Sequence, residues 1–140
     1  MKDRVFLDTN IWVYCFDITD SRKQMRAISL ISKSLNSQTG VISWQVVQEF
    51  YNVALHKFKR PLPMDVLENF TQQFLMPMCL IFPTQAVWSE ALLIHQQTQY
   101  RFYDSLIVSA ALAAEAEILF SEDLQANRKI QGLEIRNPFT

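Results

Sequence analysis

The sequence predicts an α/β protein in which a parallel sheet is covered by helices on both faces. Two observations carry this. Short apolar runs of strand length alternate along the chain with segments whose apolar residues recur at helical spacing, which implies parallel strands joined by helical crossovers. Hydrophobic residues make up 49% of the chain and charged ones 19%, with only two glycines, so little is left for disorder. At 140 residues the chain suits one domain, 1–140, able to bury about two thirds of the surface its unfolded form exposes.

In order, Val5-Phe6-Leu7 is a strand ended by Asp8-Thr9-Asn10, and a short segment follows through Phe16 to a polar turn at Asp17–Ser21. Met25, Ile28, Leu30, Ile31 and Leu35 fit a helix of about four turns that stops near Asn36. Gly40 introduces a very short strand, Val41-Ile42. Ser43 is placed to cap a helix carrying Val46, Val47, Phe50, Tyr51 and Ala54 on one face, with Pro61 and Pro63 closing it. A further helix is expected over Met64–Leu75 and a strand over Cys79–Phe82. Thr84 caps a helix to Thr98, and Asp104 starts one reaching Ala114. Glu117–Phe120 and Leu133–Ile135 are the last strands expected. No internal repeat, low-complexity tract or linker interrupts this order.

Composition excludes several classes. Cys15 and Cys79 stand apart, as do His56 and His95, so a zinc cluster is not expected and two reduced thiols are. Three apolar residues before Asp8 are too few for a signal-peptide core, and Leu106–Ala114 is too short to span a bilayer; a soluble, cytoplasmic protein is expected. With Gly40 and Gly132 alone, no dinucleotide or P-loop motif can form. Asp8-Thr9-Asn10 is not the Asp-x-Asp of a haloacid-dehalogenase-like phosphatase, and the acidic pair of a receiver domain is missing.

Four acids interrupt apolar or strand-ending contexts. Asp8 and Asp123 follow strands, Asp104 opens a helix apolar on nearly every side, and Glu49 falls on the flank of the stripe made by Val46, Phe50 and Val53. Singly, each aspartate can be a cap or turn residue and Glu49 a surface residue. Together the three aspartates, at the starts or ends of core elements, can converge on the carboxyl edge of one parallel sheet, where such folds bind ligands. Four buried like charges repel unless a cation compensates them, and carboxylate oxygens suit Mg²⁺ or Mn²⁺, one ion or two. Such ions lower the pKa of a bound water and stabilise a leaving oxygen.

In order and spacing, "FLDTNIWVY", "VVQEF", "YDSLIVSAAL" and "ILFSEDL" resemble the acidic motifs of PIN-domain ribonucleases, most closely the VapC-type toxins of bacterial toxin–antitoxin pairs. The resemblance covers essentially the whole chain. It implies a three-layer α/β/α sandwich and a Mg²⁺- or Mn²⁺-dependent endoribonuclease, with Asp8, Glu49, Asp104 and Asp123 as metal-binding and catalytic acids. Thr9 and Asn10 match the polar residues that support the first acid. Ser121 stands where the family has threonine and supplies the same hydroxyl. Glu122 competes with Asp123 as the fourth ligand. Family members usually dimerise and are inhibited by a separately encoded antitoxin. For RNA contact the candidates are Arg101 and the group Lys57, Lys59 and Arg60. Trp12 and Phe102 can stack on a base or pack inside. The competing reading is a PIN-like module that binds RNA or protein without cutting it.

Overall fold

In the computed structural model, which describes residues 3–140, the predicted alternation is present from the first strand to the last. The elements are β1 (Val5–Leu7), α1 (Thr9–Tyr14), α2 (Ser21–Asn36), β2 (Gly40–Ser43), α3 (Trp44–His56) and α4 (Met64–Phe70). There follow a π-helical turn (Thr71–Leu75), α5 (Met76–Met78), β3 (Cys79–Ile81), α6 (Gln85–Thr98), α7 (Phe102–Ala113), β4 (Ile118–Phe120), β5 (Lys129–Ile130) and β6 (Leu133–Arg136).

The strands lie in the order β3-β2-β1-β4-β6-β5. Parallel ladders join β1 to β2 and β4, β2 to β3, and β4 to β6. Starting from β1, the chain builds outward through β2 to β3, then returns across the sheet to β4. Right-handed crossovers therefore put α1–α5 on one face and α6–α7 on the other, giving the α/β/α sandwich. The packing agrees: α1 contacts α2 and α3, and α6 pairs with α7.

Three elements differ from expectation. The sheet is not wholly parallel, because β5 pairs antiparallel with β6. Gln131 and Gly132 turn this hairpin with φ of 50° and 88°, the positive angles a two-residue hairpin loop needs. A two-residue strand is too short to show any periodicity. The helix expected over Met64–Leu75 changes register at Thr71, whose hydroxyl donates to the Leu67 carbonyl at 2.7 Å and meets the Tyr51 hydroxyl at 2.5 Å. This side-chain competition, with Pro77 lacking an N–H just beyond, favours the looser turn. Third, α7 starts at Phe102 with Arg101 at its N-cap, so Asp104 lies inside the first turn and is not the cap.

The other caps divide. Asp20 accepts from Lys23 N at 3.1 Å and so begins α2 earlier than its apolar stripe does. Thr84 caps α6, accepting from Val87 N at 3.2 Å. Ser43 holds the cap position of α3 in extended backbone, yet its hydroxyl bonds to nothing there.

The core joins Phe6, Leu7, Ile42, Leu119 and Ile135 of the sheet to Trp12, Phe50, Ile107 and Val108 of the helices, all buried. Each such side chain contributes about 1.5–3 kcal/mol on burial. Phe70 anchors an aromatic cluster, edge-on to Trp12 at 6.0 Å and to Phe16 at 5.0 Å. Gly40 permits the closest approach of α2 and α5 to β2: a Cβ there would lie 2.7 Å from Met78 Sδ and 2.9 Å from Ser34 Cβ. No described helix is long and apolar enough to cross a membrane.

Candidate active site

The direction of the sheet's construction reverses between β1 and β4, and in open α/β sheets that reversal leaves a crevice beyond the strands' carboxyl ends. An open cleft of about 840 Å³ lies there, lined by Asp8, Glu49, Asp104 and Asp123, with Glu122 at its wall. All four acids singled out in the sequence are thus brought together by four different elements. Among the described residues, no three His, Cys, Asp or Glu side chains close in on one point as a formed metal centre would.

Asp8 does two jobs at once. It caps α1, its Oδ1 accepting from Thr9 N at 2.7 Å, and its Oδ2 accepts from the Ser121 hydroxyl at 2.7 Å. The residue is only 6% exposed. Burial raises its carboxyl from 3.8 to about 7, the two hydrogen bonds oppose the rise, and the negative charges of Glu49 and Asp123 add to it. Asp104 is also raised, by burial first and by Asp123 second, with Arg101 opposing.

The neighbours of Asp8 hold two of the remaining acids, Glu49 and Asp123. The Thr9 hydroxyl donates to Glu49 Oε1 at 2.6 Å, tying the end of β1 to the second turn of α3. Asn10 Nδ2 donates to Asp123 Oδ2 at 2.9 Å, and its Oδ1 accepts from Glu122 N at 3.3 Å. Ser121, fully buried, accepts from the amides of Asp123 and Leu124 at 3.2 and 3.3 Å while donating to Asp8. A hydroxyl is the group that can do both.

Glu122 and Asp123 are treated differently. Glu122 accepts from the Tyr14 hydroxyl at 2.6 Å and forms an ion pair with Lys23, whose ammonium also lies 4.8 Å from the centre of the Tyr14 ring. Both its oxygens are engaged and its charge is balanced. Asp123 is exposed, and among the described residues its carboxylate hydrogen-bonds only to Asn10. Tyr14 lies four residues after Asn10 on α1, a spacing that could have pointed to it; Lys23, nine residues further along, gave no sequence signal. Gln45 was also missed: its Nε2 donates to the Tyr103 carbonyl at 3.1 Å and to Glu49 Oε2 at 3.4 Å.

Of the basic candidates, Lys57 lines the cleft. Lys59 and Arg60 are exposed after α3 outside its lining, and Arg101 is exposed at the head of α7, near enough to act on Asp104. Trp12 cannot stack on a base: it is fully buried, with its indole N–H donating to the Leu7 carbonyl at 3.4 Å. Phe102 is half-buried and packs edge-on to Tyr103 at 5.7 Å. Both cysteines are free, and burial raises the Cys15 thiol to about 12 and shifts Cys79 upward, so neither is an activated nucleophile.

Acids gathered over the reversal point of a mostly parallel, helix-covered sheet define α/β proteins with an acidic cleft at the sheet's carboxyl edge. Residues 5–130 match the PIN domain family, and the chain belongs to that family. Several solved structures share the fold. A toxin–antitoxin complex from Klebsiella pneumoniae superposes with a TM-score of 0.67 at 18% identity, covering 96% of this chain and 97% of that one. VapBC2 from Rickettsia felis, bound to a promoter DNA fragment, gives 0.64 at 19% identity over 95% and 97%. VapC20 from Mycobacterium tuberculosis, described as a sarcin–ricin loop cleaving toxin, gives 0.59 at 16% identity over 85% and 91%. Comparison of the sequence with curated proteins returns no match.

Proposed function

We propose that this chain is a metal-dependent endoribonuclease acting in the cytoplasm, the toxin of a VapC-type toxin–antitoxin pair. One observation carries the reading: Asp8 is buried among other carboxylates at a cost that raises it to about 7, a cost a bound cation offsets. The donor set fits a hard divalent ion, because the acids lining the cleft are all oxygen donors and no His or Cys joins them. Asp8, Glu49, Asp104 and Asp123 would hold Mg²⁺ or Mn²⁺, and two ions would balance four carboxylates. When bound, such an ion supplies an activated water and stabilises the leaving oxygen of a phosphodiester.

The chain's own residues prepare this chemistry. Ser121 and Thr9 fix Asp8, Thr9 also aims Glu49, and Asn10 aims Asp123. Lys23 and Tyr14 hold Glu122 aside, which favours Asp123 as the fourth ligand. Asp8, raised by burial, would hold a proton near neutral pH that a cation bound there would displace. Lys57 and Arg101 draw in the RNA backbone, with Lys59 and Arg60 as outlying contributors. The fold neighbour described as a toxin–antitoxin complex supports a separate antitoxin as partner.

The second reading is a module that binds RNA or protein without cutting RNA, favoured by the absence, among the described residues, of three acidic side chains closing on one point. Incubation with RNA and Mn²⁺, with and without chelator, separates the two. Cleavage that stops with chelator is expected; metal-independent binding with no cleavage would establish the module instead.

A further inference from the structure

Beside the acidic cleft lies a smaller, apolar pocket of about 150 Å³. Trp44 and Phe82 form its walls, their ring centres 5.8 Å apart and tilted by 41°. Both are large aromatics left substantially exposed, at 40% and 50%, and Tyr103 at the shared rim is 67% exposed. Gln45, Gln48 and Tyr103 line both this pocket and the acidic cleft, so the two adjoin. Gln45, bonded to the Tyr103 carbonyl and to Glu49, couples the wall of one to an acid of the other.

Ser43 supplies the independent observation. It lines the pocket, is only 4% exposed, and its hydroxyl has no hydrogen-bond partner among the described residues, although it stands where a serine would ordinarily cap α3. A buried hydroxyl without a partner destabilises the fold, and a ligand that offers a donor or acceptor relieves it.

We infer that this pocket takes one nucleobase of the RNA, the base flanking the bond that is cut. The inference rests on the nuclease reading and names the specificity element of that same site. Pocket size selects the occupant: whole small-molecule ligands fill about 300–1,000 Å³, whereas a single planar base fits here. Aromatic walls stack a base of any identity, and the Ser43 hydroxyl with the amides of Gln45 and Gln48 reads its edge. The cleft next door takes the phosphate that joins this base to the next.

The test uses oligonucleotides carrying the fluorescent base 2-aminopurine beside a central junction, bound to the full chain in the presence of EDTA so that nothing is cut. Quenching of the base on binding is expected, with recovery of its emission in Trp44→Ala and Phe82→Ala and about a tenfold loss of affinity in each. In the matching Mn²⁺ assay, sequenced cut ends should show a base preference that Ser43→Ala broadens while cleavage continues. Binding without quenching, or cut ends unchanged in all three variants, would overturn the pocket while leaving the nuclease reading intact. A wild-type chain that quenches but never cleaves would overturn the nuclease reading instead. Should Trp44→Ala halve the protein's mass in solution with quenching unaltered, the face is a contact between two copies of this chain and the inference fails.

Discussion

Replacing Asp8 by asparagine should stabilise the metal-free protein while destroying its activity. A carboxyl that titrates near 7 in the fold and at 3.8 outside it binds its proton more tightly when folded. Stability is therefore unaffected below the unfolded value, falls as pH rises through the interval between the two, and carries the full penalty above about 7. Each tenfold difference is worth about 1.4 kcal/mol, so the ionised group costs the fold a ceiling of about 4 kcal/mol at pH 8. Asparagine removes that cost but gives up one of the two hydrogen bonds Asp8 accepts, because its amino group cannot accept from Ser121. With about 1 kcal/mol for the lost bond, Asp8→Asn should be more stable than the wild type by about 3 kcal/mol at pH 8. At pH 5 the gap should shrink below about 1 kcal/mol. Urea unfolding in EDTA at the two pH values measures this, and added Mn²⁺ should raise the wild type alone. A variant no more stable at pH 8, or a gap that does not change with pH, would refute the buried-charge argument.

Gly40→Ala should cost about 1–3 kcal/mol in urea unfolding, since the new methyl meets Ser34 Cβ as well as the more yielding Met78 side chain. Trp12→Ala should cost about 3–5 kcal/mol as a core truncation, whereas Trp12→Phe should keep RNA cleavage near wild-type levels, as a purely internal residue allows. Lys57→Ala should weaken RNA binding and reduce the slope of log affinity against log salt by about 1, with smaller effects from Lys59→Ala and Arg60→Ala outside the cleft lining.

What the sequence made legible follows physical range. The strands Val5–Leu7 and Ile118–Phe120 and the helix caps Asp8 and Thr84 are local matters, settled by neighbouring residues, and they were readable. The convergence of the three aspartates was readable because they stand at the ends or starts of elements that parallel-sheet topology brings to one edge. Contacts set by tertiary packing were not. Nothing near Lys23 marks it as the partner of Glu122, 99 residues away, or marks Thr71 as the point where α4 loosens under the Tyr51 hydroxyl. Ser43 reads as a cap because its type and position are right, and only the structure separates its hydroxyl from that role.

The central claim is that the cleft acids hold a cation that cuts RNA, and Asp104→Asn tests it most directly. Among the described residues no side chain hydrogen-bonds to Asp104, so its replacement removes a charge from the cleft without removing a support of the fold. Mn²⁺-dependent cleavage of RNA should be present in the wild type, absent with EDTA, and lost in Asp104→Asn at a melting temperature no lower than the wild type's, since burial and Asp123 already disfavour the Asp104 charge. Undiminished cleavage by the variant, or wild-type cleavage that persists in EDTA, would contradict the account.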